Sequence, residues 1–430
     1  MPLDSDLSAS SIVVHSPEVN AQQPWLGLLP YREEHREFFF GRDRELEDIL
    51  GRIRDNSLTI LYGQSGLGKS SLLAAGVMPQ LREAGYAPRW ARLSFEEGKR
   101  FQTLVQQTHV LISAAQGTLT AGDFEGEGPL QRLTFWERFH HRDAPTSPVP
   151  VLIFDQFEEI FTLGAQARFT DEVADWLEQM ADLLQNRPPR HLAERFAQDS
   201  TLAEQYHFGD APVRIVFTLR EDYLAQLERW KARLPLLMQN RMALTLLTGP
   251  QARQAVLGPA QYGYDSLVSR EVAESIVRTV ARVPRDTPLD QIKAVPPLLS
   301  LLCEQLNAAR LSAGSAQITA ESVRDQADDI LQRFYVESFL SFPEEHRARI
   351  RALLEDPPMI TEGGFRNALV REDAEAQLTR AGVAQDLTTS EFAMLKVLVR
   401  HPRVPLSREK LAQLSRGREF EPFDRSLDVQ

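Results

Sequence analysis

Between residue 25 and about residue 248, short apolar runs alternate with stretches of helical period. The runs are Leu58-Thr59-Ile60-Leu61-Tyr62, Trp90-Ala91-Arg92-Leu93, Val151-Leu152-Ile153-Phe154 and Val213-Arg214-Ile215-Val216-Phe217. Each reads as a buried strand, because helices cover both faces of a parallel sheet and leave no face for polar residues. Strands that alternate with helices predict an α/β domain with a parallel sheet flanked by helices. The polar, charged stretch from Ala165 to Asp210 is helical in pattern and reads as an insertion. From about 250 to 345 the pattern is helical throughout. Pro296-Pro297 interrupts it ahead of an apolar run from Leu298 to Leu306, and Thr319-Ala320-Glu321 opens a further helix through Ile330, Leu331 and Phe334.

The ends differ from this body. Residues 1–24 are rich in Ser, Asp, Gln and Pro, with little periodicity, and are expected to be disordered. The expected organisation is therefore an α/β core over 25–249, an all-α helical domain over 250–345, a connecting helical or winged-helix-like region over 346–384, and a separate tail over 385–430. In the tail, Thr388-Thr389-Ser390-Glu391 has the spacing of a capping box, in which hydroxyl and carboxylate satisfy free amides at a helix start. Phe392, Leu395 and Val399 continue it as an apolar stripe, which His401-Pro402 ends; Ser407 can cap a second helix through Leu411 and Leu414.

Composition narrows the class without changing this picture. Of the 430 residues, 43% are apolar and 25% charged, as in an ordinary globular protein. No apolar run approaches the ~18 residues of a membrane span, and the acidic start Met1-Pro2-Leu3-Asp4 lacks the features of a signal peptide. Cys303, the one cysteine, sits among leucines and reads as a buried thiol. These features together place the chain in the cytoplasm. Its net charge of −12 argues against broad attraction to nucleic acid or anionic lipid, although residues 385–430 carry +1.

The chemistry gathers at three strand ends. Gly63-Gln64-Ser65-Gly66-Leu67-Gly68-Lys69-Ser70 matches the P-loop pattern, between a β-branched strand and an amphipathic helix. Its glycines let backbone amides turn towards phosphate oxygens, Lys69 supplies a charge to the β- and γ-phosphates, and Ser70 offers a hydroxyl to magnesium. The run Val151–Phe154 delivers Asp155 at the edge where open α/β sheets bind ligands, so Asp155 is the expected magnesium partner. Either Glu158 or Glu159 is the candidate to orient the attacking water. Arg220, at the end of the run from Val213, is placed to stabilise charge near the γ-phosphate, or alternatively to pair with Asp222.

Phe38-Phe39-Phe40-Gly41-Arg42-Asp43-Arg44-Glu45-Leu46 resembles the Gly-Arg-x-x-Glu segment that opens STAND NTPases. With Pro30-Tyr31-Arg32-Glu33-Glu34 upstream, the chain resembles the bacterial novel STAND subgroup over about residues 25–384. Asp155-Gln156-Phe157-Glu158-Glu159 is similar to that subgroup's Walker B sequence, and Thr218-Leu219-Arg220 to its sensor motif. Val295-Pro296-Pro297-Leu298-Leu299 resembles the Gly-x-Pro segment whose proline approaches the nucleotide, with a valine in place of glycine. The resemblance implies that Arg42 lies near the adenine end, that Gly63 to Ser71 hold phosphates, and that Pro297 adjoins the nucleotide. It implies a switch that holds ADP as a closed monomer, exchanges it for ATP, and oligomerises to activate an effector that neither end of this sequence supplies.

The tail resembles an OmpR-type winged-helix DNA-binding domain through Leu387–Phe392, His401-Pro402, Leu406–Leu411 and Asp424–Gln430. The match stops a few residues into the helix that would enter the major groove, where Arg425 stands, so the alternative function is an ATP-gated transcription regulator. Sequence-specific DNA binding combines phosphate contacts with base contacts from an inserted helix. Here that helix has room for about two turns and one basic residue between Asp424 and Asp428. The acidic remainder repels a duplex within about 8 Å at physiological salt. These 430 residues are therefore expected to bind no DNA sequence-specifically, with or without ATP. A gel-shift titration checks this, and a complex with promoter DNA that resists salt and competitor is the contrary result.

Overall fold

The apolar runs become strands in the computed structural model, which describes residues 19–95, 103–119, 132–164, 169–261 and 266–337, with residues 344 and 347. Residues 1–18, nearly all of the region 346–384, and the whole tail 385–430 with Arg425 lie outside them. The described residues fall in two compact units, 1–300 and 301–430.

In the first unit, β1 (Leu58–Gly63), β2 (Tyr86–Ala91), β3 (Val149–Phe154), β4 (Arg214–Arg220) and β5 (Arg241–Ala243) form one sheet in the order β2-β3-β4-β1-β5. Every pairing is parallel. Burial is nearly continuous along β1, β3 and β4, as a sheet covered on both faces requires. Two details depart from the apolar pattern. Strand β2 starts at Tyr86 rather than near Trp90, after Gly85 turns the chain at φ +83°. As an edge strand with β3 as its neighbour it tolerates Pro88 and Arg89, so it shows no apolar run over its first half. Strand β5 is only three residues long and gives no periodic signal.

The helices in chain order begin with α1 (Asp43–Asp55) and α2, which runs as Lys69–Ser71, a π-type turn Leu72–Val77, and Met78–Glu83. Pro79 has no N–H to give the carbonyl of Ala75, and the widened turn just precedes it. Next come α3 (Leu104–Gln116), α4 (Phe135–His140), α5 (Glu159–Thr162), α6 (Thr170–Leu184), α7 (Arg190–Gln198) and α8 (Leu224–Glu228). A two-stranded antiparallel ribbon of β6 (Leu247–Thr248) and β7 (Lys293–Ala294) brackets α9 (Gly249–Ala260) and α10 (Arg270–Ala281).

One face of the sheet packs Leu61, Val151, Ile153 and Val216 against Ile49 and Ile53 of α1 and Leu72, Leu73 and Val77 of α2. The other face presents Ile60, Leu152, Phe154, Ile215 and Phe217 to α3, α4 and α6. Alternate residues of each strand thus go to opposite cores, which is the period-two geometry of a pleated strand. Helix α6, from the stretch read as an insertion, buries Trp176 completely against Phe154, Phe157 and Phe217. Its indole Nε1 donates to Thr108 Oγ1 at 2.8 Å.

Two further helices follow, α11 (Pro296–Ser312) and α12 (Ala320–Glu337). In the second unit Leu301, Leu302, Cys303 and Leu306 are buried, and burial pushes the Cys303 thiol up from its ordinary value, as an inert thiol requires. Arg310 donates to Asn307 Oδ1 at 2.8 Å and to the Ser315 carbonyl at 3.1 Å, tying down the turn after α11. No helix among the described residues is long and apolar enough to cross a membrane.

Trp176→Ala should remove a filled site and the hydrogen bond to Thr108 together. A loss of about 3–5 kcal/mol is expected for truncating a buried Trp. Denaturant unfolding followed by circular dichroism checks it, and a change below about 1 kcal/mol would mean that this core closes over the cavity.

Candidate functional site

Strand β1 ends at Gly63, and the next turns decide the loop. Gly63 has φ +156°, and a Cβ there would lie 2.4 Å from the Leu244 carbonyl oxygen. Gly66 and Gly68 sit at φ +81° and +89°, a region that L side chains rarely enter. Gln64 is exposed and Ser65 half-buried at the tip, whereas Leu67 points into the core. Lys69 opens α2 and folds back, its Nζ donating to the carbonyls of Gly63 at 2.8 Å and Gln64 at 2.9 Å. An ammonium has three donors, so one remains for an anion in front of the loop. Burial lowers the Lys69 pKa; Glu158 and Asp155 oppose the shift, and Arg220 adds to it.

Asp155 follows β3 directly and is buried. Strand β4 lies between β3 and β1, and the carboxylate reaches both β4 and the start of α2. Its Oδ2 accepts from Ser70 Oγ at 2.9 Å, and its Oδ1 accepts from Thr218 Oγ1. The same Thr218 hydroxyl accepts from the Gln156 amide at 3.1 Å, and its carbonyl accepts from the Phe157 amide at 2.7 Å. Gln156 takes φ +53° to make this turn, and Phe157 stacks on Phe217 with ring centroids 4.0 Å apart. The turn after β3 is therefore held by β4.

Two adjacent glutamates leave that turn in different company. Glu158 accepts from the Arg220 amide at 3.3 Å. Burial raises its pKa, Lys69 and Arg220 pull it down, and Asp155 adds to the rise. Glu159 instead pairs with Arg92, accepting from Nε at 2.9 Å and from Nη2 as well. Arg220 stands opposite Gly63 in the β4–β1 register, pairs through Nη2 with Asp222, and lies 5.7 Å from the Tyr223 ring. The ion pair with Asp222 is the alternative that the sequence left open for Arg220, formed here at the end of β4.

The remaining candidates are placed as follows. Arg42 is buried at the start of α1, donating through Nη2 to the carbonyls of Leu67 at 3.1 Å and Thr245 at 2.8 Å and through Nη1 to Glu45 at 2.7 Å. Glu45 accepts in turn from Gln251 of α9 at 2.8 and 2.9 Å. Ser71 Oγ accepts from the Tyr31 amide at 3.1 Å, which ties the segment before α1 to the start of α2. Pro297 stands in the first turn of α11, half-buried and outside the hydrogen-bond network of the loop. The structure therefore brings together Gly63 to Ser70, Asp155, Glu158 and Arg220, with Arg42 bracing the loop from behind.

Thr218 and Arg92 complete this arrangement, and the sequence alone assigns neither a role of its own. Thr218 carries a weak signal, lying two residues before Arg220 at the sheet edge; Arg92 carries none, since its partner is 67 residues away. The donor set suits a nucleotide with Mg²⁺: loop amides and an ammonium for phosphates, and a hydroxyl beside a carboxylate for a hard cation that takes oxygen ligands.

The family model described as Novel STAND NTPase 1 matches residues 24–411. Regulatory protein VirG of Agrobacterium tumefaciens (strain 15955) is 34% identical over 109 residues, covering 24% of this chain and 38% of that protein. Its counterpart in Agrobacterium fabrum (strain C58) is 32% identical over 130 residues, covering 29% and 48%. The chain spans less than half the length of these curated relatives. Among solved structures, the Aeropyrum pernix ORC2 protein in its ADPNP-ADP complexes is 15% identical with a TM-score of 0.46, covering 84% of this chain and 86% of that one. Cdc6p from Pyrobaculum aerophilum is 15% identical with a TM-score of 0.41, covering 88% and 89%.

The loop geometry separates two glycine substitutions. Gly63→Ala meets both an unfavourable φ and the Leu244 carbonyl, whereas Gly68→Ala meets nothing within 4 Å and bears the conformational cost alone. That cost is about 1–2 kcal/mol. Thermal unfolding without nucleotide should therefore show Gly63→Ala as the less stable of the two; equal melting temperatures would contradict the contact with Leu244.

Proposed function

The chain belongs to the Novel STAND NTPase 1 family, and from that premise we propose that it is an ATP-binding, slowly hydrolysing switch. It exchanges ADP for ATP and oligomerises in the ATP state to engage an effector or sensor protein. The observation that carries this reading is the 2.9 Å hydrogen bond from Ser70, at the end of the glycine loop, to Asp155. It joins the phosphate loop to the carboxylate edge across an intervening strand, which a glycine-rich turn without a ligand has no need to do.

The residues divide the work by their chemistry. The amides from Gly63 to Ser70 and the Lys69 ammonium bind the phosphate chain. Ser70 and Asp155 hold Mg²⁺, which when bound neutralises charge on the transferring phosphoryl group. Thr218 fixes Asp155 by a hydrogen bond to its other oxygen. Glu158 orients the attacking water, because it lies within the field of Lys69 and Arg220 while its neighbour Glu159 is engaged by Arg92. Arg220 supplies positive charge beside the loop, restrained by Asp222. Arg42 braces the loop through the Leu67 carbonyl.

A second reading, a regulator whose NTPase unit gates DNA binding, draws on the partial likeness to Regulatory protein VirG. Binding to DNA measured with and without ATP distinguishes the two, since a regulator needs a recognition helix held in the major groove.

Lys69→Ala should abolish tight binding of a fluorescent ADP analogue, since the charge and the phosphate register are lost together. Glu158→Gln should leave that binding nearly intact and lower kcat, because water positioning counts mainly in the transition state. Wild-type affinity in the first variant, or wild-type turnover in the second, would remove the corresponding assignment.

A further inference from the structure

Arg92 follows the last residue of β2, and the amide of Asp155 donates to the carbonyl of Ala91 at 2.9 Å. The guanidinium therefore emerges beside the carboxylate turn, although it belongs to an edge strand and to no motif of the loop. Its partner is Glu159, engaged through two nitrogens, and both side chains are partly buried. Burial opposes the Arg92 charge, but Glu159 and then the fields of Asp155 and Glu158 outweigh it and raise the guanidinium above its ordinary range. Three carboxylates thus surround one edge, and Arg92 feels all of them while bonding one.

We propose that Arg92 and Glu159 form a positioning pair that keeps Glu158 available: Glu159 occupies a guanidinium that otherwise takes the adjacent carboxylate. The inference rests on the reading of Glu158 as the residue that orients water, and goes beyond it by giving the second glutamate a different task. An arginine in a partly desolvated site does not stay unpaired, because burying an unpaired charge is costly. With Glu159 neutralised, the carboxylates that still act on Arg92 are Asp155, whose amide meets the Ala91 carbonyl next to it, and Glu158, the residue before Glu159. Asp155 has each oxygen engaged by a hydroxyl. Glu158 is engaged by the Arg220 amide through Oε2 at the limit of hydrogen-bonding distance, and is the weaker-held of the two. The twin glutamates are then unequal by circumstance: one is the working carboxylate and its neighbour is the counter-ion that protects it.

The test is a cycle of Glu159→Gln, Arg92→Met and the double variant, measured on the full chain, with Glu158→Gln in parallel. Methionine keeps an aliphatic stem in the place of the arginine stem and removes the charge. Glu159→Gln alone is expected to lower kcat roughly 10- to 100-fold, the worth of one hydrogen bond to a charged group, with KM nearly unchanged. The double variant should recover most of that loss, because the misdirected guanidinium is gone. A merely structural ion pair instead leaves kcat of Glu159→Gln near that of the wild type and lowers its thermal stability, which the double variant restores. A crystal structure of nucleotide-free Glu159→Gln provides a readout apart from activity, expected to show Arg92 on the Glu158 carboxylate. Arg92 remaining beside the substituted amide side chain, or a double variant as slow as the single, overturns the proposal. If Glu158→Gln turns over ATP like the wild type, the water-orienting role of Glu158 fails instead, and the crystal structure still reports on the pair.

Discussion

A single carboxylate, Asp155, carries the geometry of this protein's working edge. Placing an ionised carboxylate among buried strand ends is unfavourable unless each oxygen is met by a donor. Here Ser70 meets one oxygen and Thr218 the other. Because these hydroxyls come from the first turn of α2 and from β4, satisfying Asp155 also sets β3, β4 and the start of α2 relative to one another. The strand order puts β4 between the other two, and Thr218 on it bonds both the carboxylate and the turn that follows it.

The loop is braced from behind by a second chain of bonds, and this explains the aromatic-Gly-Arg segment before α1. Arg42 grips the Leu67 carbonyl between two glycines of positive φ, and Glu45 passes the connection to Gln251 of α9. Gly41 must lack a side chain because a Cβ there would lie 2.4 Å from the Gln251 carbonyl, and Gly258 must lack one because Phe40 fills the space. The segment therefore reads as a docking surface for α9 as much as part of a nucleotide pocket, and its residue types follow from close backbone approach.

Much of this was legible in the sequence, for local reasons. The glycine loop, the runs at Leu58, Val151 and Val213, and Asp155 at a strand end all declare themselves within about ten residues of chain. Strand β5 escaped because Arg241–Ala243 is too short for a period to show, and β2 was read late because an edge strand carries half the apolar demand. The division between Glu158 and Glu159 could not be read at all. The two are adjacent and chemically alike, and what separates them is a cation brought from β2 by the parallel pairing of β2 with β3. Thr218 was legible only as the first residue of the sensor-like Thr218-Leu219-Arg220, because a threonine inside a strand usually means only β-propensity.

The sheet's outer margins bear on how copies of the chain could ever join. At one margin β2 carries Pro88, which has no N–H to offer a newcomer, next to the charged Arg89; at the other, β5 extends for three residues. Neither offers the long, flat, apolar template on which a foreign strand can zip. Growth of this sheet from one molecule into the next is thereby discouraged at both of its edges.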